Sequence, residues 1–136
     1  MNETLNIFIV DDDPITTFGL KKILNRDVDC QLHSFKNGET AFAKVEQLQF
    51  AKEPLPDCIF LDINMPVMDG WEFLEQYIKI PSEKRTVVNI LTSSIDPADS
   101  DRFQYFKAKT KHILNFMSKP ILKLKYEDLV NEHRMI

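Results

Sequence analysis

The chain has 136 residues, 43% hydrophobic and 28% charged, which suits one domain with a single sizeable core and is too short for two. A formal net charge of −4 lacks the basic excess that wholesale nucleic-acid binding requires. The first residues carry no basic segment followed by a long apolar run, and no stretch nears the length of a membrane span, so a cytoplasmic protein is expected.

Residues 6–10 form a short apolar run containing β-branched Ile7, Ile9 and Val10, and it ends at once on Asp11, Asp12, Asp13 and Pro14. The run predicts a strand; Asp13 suits the N-cap and Pro14 the first turn of a following helix. Phe18, Leu20, Ile23 and Leu24 supply that helix with an apolar face. Asp11 and Asp12 are left over, and adjacent carboxylates at a strand tip repel unless a cation sits between them.

Val28, Cys30 and Leu32 alternate with polar residues as in a half-exposed strand, which Asn37 and Gly38 close. Ala41, Val45 and Leu48 fall at helical spacing before a proline-rich loop at 53–56. Residues 58–61 are four apolar residues ending on Asp62, too few for a buried helix, so a short interior strand presents Asp62 at its tip. Pro66, Asp69 and Gly70 mark a loop, and residues 71–78 read as the next helix.

Residues 87–91 form another buried strand, ending on Thr92, Ser93 and Ser94. Asp96 and Pro97 begin a fourth helix, with Phe103 and Phe106 as its core residues. Residues 113–117 make a fifth strand that runs into Ser118, Lys119 and Pro120. Leu122, Tyr126, Leu129 and Val130 then fall at i, i+4, i+7 and i+8, the pattern of a last helix facing the core.

Five strands alternating with five helices predict an α/β fold: a doubly wound parallel sheet covered on both faces, with a site where the carboxyl ends of the strands meet. Cys30 and Cys58 lie in apolar strand-like segments, as reduced structural thiols do. Lysines at 107, 109, 111, 119, 123 and 125, with no Asp or Glu between, give the C-terminal third a basic face. That face reads equally as solvated surface or as a docking surface for an acidic partner.

The run from Leu61 to Gly70, LDINMPVMDG, resembles the phosphoacceptor segment of the response-regulator receiver family. The other strand ends match that family in order: the Asp11 and Asp12 pair, the Thr92 hydroxyl, and Lys119 before Pro120. The resemblance spans essentially the whole chain. It implies a flavodoxin-like five-stranded sheet of order 2-1-3-4-5, phosphorylation of Asp62, and Mg²⁺ as cofactor. Asp12 and Asp62 would bind the metal directly, Asn64 through its main-chain carbonyl and Asp11 through water. Lys119 and Thr92 would serve as catalytic groups on the phosphoryl oxygens. Thr92 and Phe116 would form the switch, and a cis Lys119–Pro120 bond would aim the ammonium inward. Asn64 and Ser94 would flank the path of the attacking water.

Physical chemistry makes the same demand. Placing a phosphoryl group on a carboxylate brings two anions together, so the reaction needs positioning and neutralisation, supplied by a hard divalent cation and a lysine. The implied partners are a sensor histidine kinase or a histidine phosphotransfer protein. A downstream protein would be reached through the face of the fourth helix, fifth strand and fifth helix, with no nucleic acid and no membrane. Only 17 residues follow Lys119, room for one helix and no output domain, which predicts a stand-alone receiver.

The sequence departs from the family in two places. Lys119 lies 27 positions after Thr92, and Lys109, Thr110 and Lys111 replace the family's usual Gly-Ala before the fifth strand, so the fourth helix or its following turn should be extended. A haloacid dehalogenase type of phosphatase also uses an aspartyl phosphate, but it needs a second carboxylate where Asn64 stands. A phosphorylation-independent docking module with the receiver shape is the other alternative.

Overall fold

The computed structural model describes residues 4–94 and 96–130. It contains β1 (Leu5–Val10), α1 (Pro14–Asp27), β2 (Cys30–Phe35), α2 (Gly38–Phe50), β3 (Cys58–Asp62), α3 (Gly70–Tyr77), β4 (Val87–Thr92), α4 (Pro97–Lys109) and β5 (Ile113–Ser118). All pairings are parallel and the order is β2-β1-β3-β4-β5, so β1 and β3 are interior neighbours and β2 and β5 are edges.

Burial follows that order. Every residue of β3 and β4 is buried, whereas β2 alternates between half-buried and exposed along its edge. On one face, Phe8, Ile59, Leu61, Val88 and Ile90 pack against α2, α3 and α4. On the other, Ile7, Ile9, Cys58, Phe60 and Leu91 pack against α1 and the C-terminal segment. A fully buried Phe or Ile side chain contributes about 1.5–3 kcal/mol of transfer free energy, so this two-sided burial is the principal reason the strand tips stay fixed.

Helix starts are set by side chains the sequence supplies. Asp13 accepts from the Ile15 N–H, Asn37 from the Thr40 N–H, and Asp96 from the Asp99 N–H. Asp69 and Glu72 form a reciprocal capping box at the head of α3. Before β5, α4 runs 13 residues to Lys109 and three residues, 110–112, join it to the strand.

The last helix is not formed among the described residues. Residues 121–125 are irregular and only a 3₁₀ turn, Tyr126–Asp128, follows. Leu129 and Val130 are buried as expected, but Leu122 and Tyr126 are 79% and 58% exposed, so the supposed apolar stripe is split. The strap that takes the helix's place is tied to the sheet. Asn89, fully buried in the middle of β4, takes an Asn115 amide donor at 2.9 Å and gives its own Nδ2 proton to the Asp128 carbonyl at 2.7 Å. A buried amide demands partners, and it finds one in a main-chain carbonyl of the strap that crosses it. The rest of the expected helix, residues 131–136, lies outside the described residues. In α1, Leu20 and Leu24 are buried, whereas Phe18 is 67% exposed and sits outside the core face assigned to it.

Candidate functional site

The carboxyl ends of β1, β3, β4 and β5 bring Asp11, Asp12, Asp62, Thr92 and Lys119 to one edge of the sheet. Asp11 and Asp62 are buried while Asp12 is exposed on the rim, and carboxylate oxygens of the three lie within 4.8 Å of one another. The Lys119 ammonium stands between two of them, 2.9 Å from Asp11 Oδ2 and 3.4 Å from Asp62 Oδ2. The Lys119–Pro120 peptide bond is cis.

The main chain trims this cluster. The Asp13 N–H donates to Asp11 Oδ1 at 2.8 Å, and the Asn64 N–H donates to Asp62 Oδ1 at 2.9 Å. Asn64 itself is exposed. Asp11 Oδ2 is wholly buried and meets the ammonium as an ion pair without a well-angled hydrogen bond. A buried carboxylate oxygen in that condition, beside two more hard oxygen donors, fits a small divalent cation.

The electrostatics are tense. Burial pushes the Asp62 carboxyl up to about 6, and the Asp11 charge adds to the rise, against the lowering effects of the Asn64 N–H and the Lys119 charge. For Lys119, burial alone would lower the pKa, but the Asp11 and Asp62 carboxylates outweigh it and the ammonium is held above its ordinary value. Lys119 therefore stays charged throughout the range in which Asp62 titrates.

Thr92 is fully buried, and its hydroxyl donates to the Ser94 carbonyl at 2.7 Å, along the loop rather than toward Asp62. Phe116 is half-buried, packed against Phe103 at 5.3 Å and edge-on to Trp71 at 6.4 Å. The sequence reading missed Gly70 and Trp71. A Cβ at Gly70 would lie 2.5 Å from the Asp62 carbonyl oxygen, so no side chain fits between α3 and the strand tip. The Trp71 indole N–H donates to Asp99 Oδ1 at 3.1 Å. A lone tryptophan directly after the Asp-Gly pair was the available signal.

Comparison with known proteins decides the family: the response regulator receiver domain profile matches residues 7–131. The chain belongs to the response regulator receiver family. Among curated relatives, a protein-glutamate methylesterase/protein-glutamine glutaminase of Leptospira interrogans is 38% identical over 101 residues, covering 71% of this chain and 25% of that protein. Hybrid signal transduction histidine kinase L of Dictyostelium discoideum is 30% identical over 129 residues, covering 93% of this chain and 7% of that one. The receiver thus spans a quarter or less of those two relatives.

Solved structures agree. A two-component response regulator from Cytophaga hutchinsonii superposes with a TM-score of 0.72 at 26% identity, covering 93% of this chain and 92% of that one. The phosphorylated cyanobacterial phytochrome response regulator RcpA gives 0.72 at 27% identity, with 87% and 82% covered. The Mn²⁺-bound form of response regulator Rcp1 gives 0.71 at 26% identity, with 92% and 86% covered.

Proposed function

We propose that this receiver is a phosphoacceptor switch in which Asp62 takes a phosphoryl group from a phosphohistidine of a sensor histidine kinase or histidine phosphotransfer protein. The observation that carries this reading is the Lys119 ammonium held 2.9 Å from Asp11 and 3.4 Å from Asp62, within a three-carboxylate cluster. A structural ion pair needs one carboxylate; two beside one ammonium, with a third carboxylate close to them, form a site prepared for more positive charge and another anion.

In the transfer, an Asp62 carboxylate oxygen forms a bond to phosphorus as the histidine N–P bond breaks, and the released imidazole takes up a proton. Lys119 moves its charge from the Asp62 carboxylate to a phosphoryl oxygen. The Thr92 hydroxyl releases the Ser94 carbonyl and donates to another. Asp11, Asp12, Asp62 and the Asn64 carbonyl would hold Mg²⁺, which supplies the remaining neutralisation when bound. The chain catalyses only its own phosphorylation and its own slow dephosphorylation, with Asn64 and Ser94 beside the path of the attacking water.

Output would be protein binding through the face of α4 and β5. In the altered state, Phe116 can turn into space vacated by Thr92. The receiver domain of residues 1–136 would act in the cytoplasm; no helix among the described residues is long and apolar enough to cross a membrane. A phosphorylation-independent docking module would share the fold but has no use for a buried, crowded Asp62. The test is a small phosphodonor such as acetyl phosphate with Mg²⁺: a phosphoryl mass increment is expected on wild type and absent from Asp62→Asn. Equal labelling of both overturns the assignment of Asp62.

A further inference from the structure

The phosphoacceptor chemistry leaves the chain's one tryptophan without a role, yet Trp71 connects three elements around the site. It follows Gly70, where a Cβ would lie 2.5 Å from the Asp62 carbonyl oxygen, so the head of α3 is packed closely on the strand tip. Its ring stacks on Phe106 of α4 at 5.8 Å with the planes 5° apart, and meets Phe116 of β5 edge-on. Its indole N–H donates to Asp99 in the first turn of α4. The Asp99 side chain is 13% exposed, so this charged acceptor is shielded from water and holds the indole more firmly than a surface contact would.

The same turn of α4 is tied to Thr92 from its other side. The Ser94 carbonyl that holds the Thr92 hydroxyl is two residues before Asp96, the N-cap of α4. A hydroxyl leaving Ser94 for a phosphoryl oxygen removes a restraint two positions before the N-cap of α4. The Trp71–Asp99 bond is a second restraint on that first turn. Phe116 has no hydroxyl and can make no polar contact in this cluster, so the polar restraint falls to the indole and Asp99.

We propose that the Trp71–Asp99 hydrogen bond is a latch holding the first turn of α4 against α3 in the unphosphorylated state, with Trp71 a positioning residue released when Asp62 is phosphorylated. The proposal rests on the phosphoacceptor reading of Asp62. Its test is titration of the full chain with beryllofluoride and Mg²⁺, an acyl-phosphate mimic, while Trp71 emission is followed. Saturation changes the wild-type emission. Asp99→Ala binds the mimic roughly ten-fold tighter, and its unliganded spectrum already resembles saturated wild type. Asp99→Asn, whose amide oxygen still accepts from the indole, stays within about two-fold of wild type.

Trp71→Phe, followed by calorimetry, shows the same tightening and keeps the test open should Asp99→Ala fail to fold. Wild-type emission unchanged at saturation, or equal mimic affinity in Asp99→Ala and wild type, overturns the latch and leaves the phosphoacceptor reading intact. Wild type that binds the mimic no better than Asp62→Asn overturns that reading and the latch with it.

Discussion

The two ends of the sheet treat buried polar groups in opposite ways. At the carboxyl edge, Asp11, Asp62 and Lys119 are crowded and incompletely satisfied. At the amino edge, the Thr86 hydroxyl donates to the Pro56 carbonyl at 3.0 Å and accepts from the Tyr77 hydroxyl at 2.7 Å. The Thr86 N–H donates to His112 Nδ1 at 2.9 Å, and Asp57 accepts from the Asn6 N–H and pairs with Lys84, each at 2.8 Å. Around Thr86 and Asp57 the hydrogen bonds are closed and hold strands and loops together, with Asn6 Oδ1 the one buried atom of that group left without a partner among the described residues; at the carboxyl edge the crowded charges themselves are incompletely satisfied. Removing a polar group should therefore cost stability at the amino edge and release it at the carboxyl edge.

The largest effect is expected at Thr86. Thr86→Val strands the Pro56 carbonyl and the Tyr77 hydroxyl in the interior, and stability should fall by about 3 kcal/mol in urea denaturation. A cost below about 0.5 kcal/mol would show that the closed amino edge does not matter.

Next is pH. Burial, with the Lys111 and Arg85 charges, lowers the His112 pKa from 6.5 to about 4. Between those values the unfolded chain binds a proton that the folded chain refuses, so His112 lowers stability as pH falls through that window and contributes no slope above it. Asp62 acts in the reverse sense. Its folded pKa of about 6 lies above the ordinary 3.8, so the folded chain protonates first on acidification and the penalty of the charged carboxylate is relieved. His112→Gln should flatten the acid-side loss in a denaturation series from pH 7 to 4, and Asp62→Asn should steepen it.

Asp62→Asn also breaks the comparison at neutral pH. Removing the crowded charge should raise the stability of the metal-free protein by about 1 kcal/mol, once solvent screening and the lost Lys119 contact are discounted. A lowered melting temperature would mean the carboxyl edge is as closed as the amino edge. The smallest effect is at Val67, a β-branched residue at φ 72° in the exposed loop after Asp62. Val67→Gly should stabilise by about 0.5 kcal/mol, relief of the left-handed backbone being partly offset by the entropy of glycine.

The candidate cluster was legible because each of its side chains ends an apolar run, and a buried strand gives no packing reason for Asp11, Asp62 or Lys119 at its tip. Strand order was not legible in the same way, since local patterns fix which segments are strands but not which lie adjacent; it rested on the resemblance. Phe18 misled because helical spacing places a residue on a face without saying whether the sheet extends beneath it. The supposed last helix misled because its period was helical while its contacts are long-range: Asn89, far away in the chain, holds the Asp128 carbonyl of an irregular strap. The Trp71–Asp99 bond joins residues 28 apart in sequence and leaves no periodic trace.

The asparagine pair in β4 and β5 grips the C-terminal strap by a peptide oxygen, a group that every amino acid possesses. Attachment of this kind is blind to side-chain identity, whereas the turn that presents the oxygen is not, because the Asp128 carboxylate accepts from the Lys125 N–H at 2.8 Å. Neither Asn89 nor Asn115 can be spared, because loss of either leaves an uncompensated dipole at the centre of the fold.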